Sequence, residues 1–262
     1  MSTLERIIYE GCPLCGGVET SNVITADCSR HPLYQPSLSA QISWLRCTLC
    51  GHVFTSGYFT EEAAEIIFSR TNPGQQVGAN VEKERYVSAK MVEKILPFAE
   101  SGHWLDVGFG NGSLLFTAEE YGLTPVGIDL RRDNVSALQS MGIEAHCLDI
   151  TGLDSPGRFR VISMADVLEH IPFPVPALEA SHSLLQDQGI LFLSMPNIDS
   201  RVWKILTQHQ SNPYWGEIEH YHNFGRGRLF RLLEDNGFEP IRYGISERYR
   251  VCMEVIARRR PK

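Results

Sequence analysis

The chain has 262 residues, 43% of them hydrophobic and 10% aromatic, and its 24 Lys and Arg against 31 Asp and Glu give a formal net charge of −7. That is enough apolar material for one large domain plus a small one, while the acidic balance counts against nucleic acid and anionic membranes, which recruit Lys and Arg to replace counterions. The charged opening MSTLERIIYEG lacks the apolar core of a signal peptide and no run approaches the roughly 18 apolar residues of a membrane span, so the reading is a cytoplasmic protein whose one basic stretch, Ala257 to Lys262, is a solvated terminus.

The first predicted unit rests on cysteine. Cys12 and Cys15 in CPLCGG and Cys47 and Cys50 in CTLCGH form two C-x-x-C pairs, while Cys28, Cys147 and Cys252 stand alone and read as small buried hydrophobes. In a chain without an export signal, paired cysteines are metal ligands sooner than disulfides. Each pair is a tight turn that aims two thiolates at one point, with Gly16 and Gly51 relieving the backbone behind it. Two such turns supply four sulfur ligands, a closed tetrahedral set for a structural zinc ion with no position open to substrate. The arrangement resembles a zinc ribbon, and the 31 residues between the pairs imply a long hairpin or loop. The alternation in ISWLRC predicts a strand into the second turn, and His52 is a spare ligand or a surface or supporting histidine.

Further along, TEEAAEIIFSR predicts a helix capped by Thr60. Residues 71–80 are rich in turn formers, and VEKERYVSAKMVEKILPF predicts a helix that stops at Pro97. These divide the chain into a zinc-ribbon-like segment over 1–60, a helical linker or lid over 61–95 and a larger domain over 96–262. In that domain apolar runs alternate with helical patterns: HWLDVG, TPVGIDL, IEAHCLD, FRVISMA and GILFLSMPN as strands, SLLFTAEEYG, RDNVSALQSMG and VPALEASHSLL as helices. The fold class is therefore α/β, a mostly parallel sheet with helices on both faces. A later amphipathic helix, FGRGRLFRLLEDNG, leads to two closing strands in PIRYGI and RVCMEVIAR.

The first strand of that domain ends in LDVGFGNGS. Glycines there let the chain turn sharply into the next helix and let a ligand lie against bare backbone. The carboxylate of Asp106 decides which ligand: it would repel a pyrophosphate at a helix N-terminus but welcome an ammonium group. The spacing is G-x-G-x-G, with Ser113 where the dinucleotide fingerprint has its third glycine.

With these residues the sequence resembles the class I S-adenosylmethionine-dependent methyltransferases over about residues 80–262, which implies a Rossmann-like seven-stranded sheet. The resemblance places Asp106, Gly108, Phe109, Gly110 and Gly112 beside the methionine part of the cofactor. It places Asp129, followed by Leu130, on the two ribose hydroxyls. Asp149, followed by Ile150, falls on the adenine amino group, and Asp166 completes the cofactor set. An acid near Asp129 also occurs in dehydrogenases, so Asp106, Asp149 and the glycine spacing carry the distinction from a nicotinamide-dependent oxidoreductase.

Two stretches offer the acceptor chemistry. ADVLEHIP resembles the E-x-x-E-H segment of the ubiquinone-pathway O-methyltransferases, which implies Glu169 and His170 beside the substrate with a magnesium ion; Asp166 stands one methylene short of the family's first glutamate, and that departure counts against the ion. NPYWGEIEHYHNFG gathers His220, Tyr221 and His222, the two histidines on one face if extended, as a base and a binder or a second metal pair. The expected partner is a small molecule bearing a hydroxyl or activated carbon, a sugar or other secondary metabolite among the candidates, since no N-P-P-Y-type segment for base methylation is present. A zinc-ribbon docking module carrying a methyltransferase that acts on a protein or nucleic acid is the alternative.

Overall fold

The computed structural model describes residues 6–68 and 73–261. Five short strands come first: β1 (Arg6–Ile8), β2 (Thr20–Asp27), β3 (Gln41–Cys47), β4 (Val53–Thr55) and β5 (Gly57–Phe59). Helices α1 (Glu61–Phe68) and α2 (Val81–Ile95) follow. Then come β6 (His103–Val107), α3 (Ser113–Glu120), β7 (Thr124–Ile128), α4 (Arg132–Ser140), β8 (Glu144–His146), β9 (Phe159–Ala165), α5 (Pro174–Leu184) and β10 (Leu185–Pro196). Last are α6 (Arg201–Gln208), β11 (His222–Asn223), α7 (Arg226–Asp235), β12 (Phe238–Ile245) and β13 (Cys252–Arg259).

The chain divides into two units: one of Arg70–Leu168, Pro176–Met195 and Leu233–Lys262, the other of Met1–Ser69, Glu169–Val175 and Pro196–Leu232. The first holds a seven-stranded sheet in the order β12-β13-β10-β9-β6-β7-β8. β10, β9, β6, β7 and β8 run parallel to their neighbours in that series, and β12 is antiparallel to β13. Its central strands are continuous apolar runs because both faces are covered: in β9 and β10, Val161, Ile162, Met164, Ile190, Leu191, Phe192 and Leu193 are fully buried. One core joins α2, β6, α3 and β9 through Met91, Trp104, Leu114 and Val161, and a second joins Phe109, Leu115, Val135 and Leu138. Strand order reverses between β6 and β9, and at such a reversal the carboxyl ends of the strands leave a crevice for ligands.

The second unit contains a four-stranded sheet, β11-β4-β3-β2, and a two-stranded one, β1-β5, all antiparallel. The interval between the cysteine pairs is the β2–β3 hairpin, registered from Thr20 opposite Cys47 to Asp27 opposite Gln41. Thr60 caps α1 as expected, its Oγ1 accepting from the Ala63 amide at 3.3 Å. Trp44, fully buried, donates from Nε1 to the Trp215 carbonyl at 2.8 Å and meets its ring edge-on. Trp215 in turn packs on Trp203, and Trp203 stacks on Tyr214. Trp44, Trp203 and Trp215 thus form a buried aromatic cluster in this unit.

Three expectations are corrected. Cys28 and Cys252 are buried, but Cys147 is exposed, its Sγ turned to the Leu130 carbonyl. The basic tail is not wholly a solvated terminus: Ala257, Arg258 and Arg259 belong to β13, and Ala257 is fully buried. His52 is no surface residue, being 1% exposed. Helix α6 was not foreseen, although Ser200 caps it by accepting from the Trp203 amide at 3.0 Å. Among the described residues no helix is long and apolar enough to cross a membrane.

Candidate functional site

In the sheet unit, the bend after β6 carries three left-handed glycines at alternate positions, with φ of 64° at Gly108, 56° at Gly110 and 78° at Gly112. A side chain at Gly108 would meet Val167 Cγ2 at 2.9 Å, whereas nothing lies within 4 Å of one at Gly110. The bend is pinned from behind: Asn134 Nδ2 donates to the Gly110 and Gln75 carbonyls, and Asn111 Oδ1 accepts from the Ser113 amide. The intervening Phe109 ring is 4% exposed and turned into the core over Gly127, where a Cβ would come within 2.6 Å of it. Only the backbone of Phe109 is left for a ligand.

Asp106 is 3% exposed at the tip of β6 and accepts from Ser163 Oγ at 2.6 Å; Ser163 accepts in turn from Trp104 Nε1. Burial pushes its carboxyl up to about 6, against the lowering effects of the Ser163 bond and of Arg248. Asp129, at the tip of β7 and 5% exposed, is held by Arg131, whose Nε and Nη2 donate to its two oxygens at 2.8 and 2.6 Å. Leu130 between them is 61% exposed. Asp149 lies beyond β8, where its Oδ1 accepts from Thr151 N, Thr151 Oγ1 and Gly152 N, a cap on the turn that leaves Oδ2 outward. Ile150 is buried. Asp166, just past β9, has a left-handed backbone with φ of 59°. Its Oδ1 accepts from Ser194 Oγ at 2.9 Å, and Arg248 Nη1 lies 3.7 Å from Oδ2. Left-handed aspartate at a strand tip is strain that the fold maintains.

In the other unit the four cysteines converge. Cys12 and Cys50 sulfurs are 3.7 Å apart, Cys15 and Cys47 sulfurs 3.6 Å, and all four lie within 4.8 Å of one another. Four sulfurs about 2.3 Å from a zinc ion stand about 3.8 Å apart, so the set fits the ion. The turns form as their residues require, with the Gly16 and Gly51 amides donating back to the Cys12 and Cys47 carbonyls and φ of 71° and 74° at the two glycines. Burial pushes the Cys12 thiol up, which an ion binding its thiolate would reverse.

Glu169, His170 and His220 form a second convergence, their ligand atoms also within 4.8 Å of one another. Glu169 is 1% and His220 7% exposed, and the two imidazoles meet edge to face at 4.6 Å. His170 Nδ1 donates to the Glu219 carbonyl at 3.1 Å, which leaves its Nε2 with a lone pair. Burial, then His170, His31 and His222, keep His220 neutral, well below the usual histidine range. A third group, missed in the sequence, is His31 with Glu217 and Glu219; the 2.8 Å bond to Glu217 raises the His31 pKa.

His220 and His222 do not act together. His222 is fully buried, its Nδ1 3.0 Å from His52 Nε2 and its Nε2 2.9 Å from the Ile171 carbonyl, and burial lowers its pKa to about 4. Tyr221 is a packing residue: it is 1% exposed, lies edge-on to Phe59 near the Arg6 guanidinium, and burial raises its pKa to about 12. Its amide donates to the Glu169 carbonyl at 2.8 Å and so fixes that loop. Magnesium does not fit the histidine cluster, because that ion demands oxygen ligands and the assembled set is one carboxylate and two imidazoles.

A family described as a methyltransferase domain matches residues 81–243. The chain belongs to the S-adenosylmethionine-dependent methyltransferases. This methyltransferase is 32% identical over 101 residues to the ubiquinone biosynthesis O-methyltransferase of Colwellia psychrerythraea, 36% of this chain and 41% of that one. The same enzyme of Xanthomonas campestris is 31% identical over 120 residues, 43% of this chain and 48% of its own length. The methyltransferase thus spans under half the length of these curated relatives. Among solved structures, it is similar to the 1,6-didemethyltoxoflavin-N1-methyltransferase of Burkholderia thailandensis, bound to 1,6-didemethyltoxoflavin and S-adenosylhomocysteine. The TM-score is 0.53 at 19% identity, over 68% of this chain and 78% of that one. The magnesium protoporphyrin IX methyltransferase of Synechocystis, bound to S-adenosylhomocysteine, gives a TM-score of 0.53 at 19% identity, over 68% and 87%. At these identities the likeness is one of fold.

Arg131, Ser163 and Arg248 were also missed. Arg131 alone carried a signal, a guanidinium two residues after Asp129.

Proposed function

We propose that this methyltransferase binds S-adenosylmethionine along the β6 bend and moves its methyl group to a hydroxyl of a small molecule. The observation that carries the reading is the bare bend with two buried carboxylates, Asp106 and Asp129, on adjacent strand tips. Asp106 holds the ammonium of the methionine part. Asp129 accepts from both ribose hydroxyls once Arg131 is displaced, and the outward oxygen of Asp149 meets the adenine amino group. The cofactor supplies an activated methyl on a sulfonium. What remains for the chain is to orient the acceptor and relieve it of a proton, and that falls to Glu169, His170 and His220. The cysteine cluster binds a structural zinc. The O-methyltransferase relatives support an oxygen acceptor.

The reading is tested by incubating the protein with S-adenosylmethionine and a panel of sugars, phenols and other hydroxylated metabolites. S-Adenosylhomocysteine is then assayed together with a product heavier by one methylene. Turnover supports it; a thermal shift with NAD and none with S-adenosylhomocysteine would replace it with the oxidoreductase alternative.

Asp106 gives the site a pH signature. Above about pH 6 it is a carboxylate and attracts the ammonium; below that value it is protonated and the attraction is lost. Affinity for S-adenosylhomocysteine should therefore fall about tenfold per pH unit below that point. In Asp106→Asn it should be weaker throughout and flat with pH. A wild-type profile flat between about pH 5 and 8 would remove Asp106 from the ammonium site.

A further inference from the structure

We infer that the cavity walled by Arg6, Ser39, Gln41, Ser43, Thr55 and Ser56 binds the phosphate or carboxylate group of a small metabolite, gripped by the Arg6 guanidinium. The cavity has a volume of about 220 Å³ and lies within the cysteine-bearing unit, bounded by β1, the start of β3 and the turn between β4 and β5. Clefts for drug-sized ligands run from about 300 to 1,000 Å³, so this one suits a short anionic group.

Three features point to an anion. The first is a cation without a counter-ion. Among the described residues the Arg6 guanidinium meets only neutral acceptors: Nη1 donates to the Gly57 carbonyl at 3.0 Å and to Thr55 Oγ1 at 3.5 Å, and Nη2 to the Ile218 carbonyl at 2.7 Å. The groups whose charge could reach it are Tyr221, Cys28 and Tyr9, and burial raises the pKa of all three, so each is neutral at pH 7. In a chain with 31 Asp and Glu, an enclosed arginine that none of them answers is unusual, because buried charges are normally paired.

The second feature is a fork only partly used. Phe59 supports the guanidinium face at 4.1 Å, which fixes its plane. On the edge formed by Nε and Nη2, the Ile218 carbonyl takes one Nη2 hydrogen, and Nε–H has no partner among the described residues. That edge is the one with which arginine grips a carboxylate or phosphate through two parallel bonds. The third feature is the rest of the wall, which holds no Asp or Glu to repel an anion. Ser43 Oγ meets only Thr25 Oγ1, at 3.3 Å, and the Ser56 hydroxyl and Gln41 side-chain amide have no partner among the described residues. A neutral ligand would leave the guanidinium charge unanswered, and a cation would be repelled.

The test is calorimetric titration of the full chain with inorganic phosphate and, separately, with malonate. One equivalent of at least one of them is expected to bind with a dissociation constant of about 1 mM or lower, and the tighter of the two tells a phosphate ester from a carboxylate metabolite. Arg6→Met should weaken that binding at least about tenfold, because charged hydrogen bonds are lost. Ser43→Leu, which fills the cavity and keeps the guanidinium, should weaken it as much. An unchanged near-ultraviolet circular dichroism spectrum shows that a variant is folded; should Arg6→Met fail that control, Ser43→Leu decides. Saturable binding of neither anion by the wild type, or wild-type affinity in a folded variant, would overturn the assignment. None of the cavity residues belongs to the proposed cofactor or acceptor sets, so the result bears on this site alone.

Discussion

Asp129→Ala should lose S-adenosylhomocysteine binding by a factor of about a hundred or more and keep its folded sheet. The carboxylate is 5% exposed at the tip of β7, where one acid can accept from two hydroxyls of a diol. Each hydrogen bond to a charged group contributes about 1.5–3 kcal/mol, so losing two costs about 3–6 kcal/mol, a factor of about 10² to 10⁴ in affinity. Arg131 supplies the control. Since its guanidinium occupies both carboxylate oxygens, Arg131→Ala removes a competitor and should leave affinity unchanged or improved. Calorimetry on both variants decides the matter; wild-type affinity in Asp129→Ala ends the ribose assignment.

Cys12→Ser should lose the bound zinc and unfold the unit around it. Cys12 is 3% exposed and packs with Cys47 and Phe54, bordered by Tyr9 and Leu14, a cluster too small to stand without a staple. Binding to four thiolates is worth about 10–16 kcal/mol in isolated zinc modules at neutral pH, and that binding energy is folding energy. Elemental analysis should find less than the wild-type zinc content, and limited proteolysis should cut first within 6–68. An equally stable protein that contains no zinc would refute a structural metal here.

The parallel sheet was legible because its buried strands announce themselves: ILFLSMP has no polar face to disguise it, and the glycines that follow Asp106 have no cheaper reason to be there. The knuckles were legible for the same reason, a doubled motif whose residues suit little else. What escaped notice depends on partners distant in sequence. Nothing near His52 tells that it is buried, since the atom it meets is on His222. The two-residue strand β11 is too short to show a period, yet it places Asn223 opposite Val53 and His222 opposite Phe54. The separation of His220 from His222 follows from that same strand, because an extended backbone sends alternate side chains one way only while it remains extended. Phe109 sits among the glycines of the β6 bend in the sequence, but Gly127 on the neighbouring strand leaves the gap its ring fills. By contrast, the Ser200 cap and the apolar spacing of Val202, Trp203, Ile205 and Leu206 could have been read as a helix.

The bond between His52 and His222 has a direction. The Ile171 carbonyl can only accept, so His222 Nε2 carries the hydrogen and its Nδ1 must receive one from His52 Nε2. Two neutral rings thereby string the turn behind Cys50 to the peptide next to His170. The backbone that carries His170 is moored to the turn that presents the last of the four sulfurs.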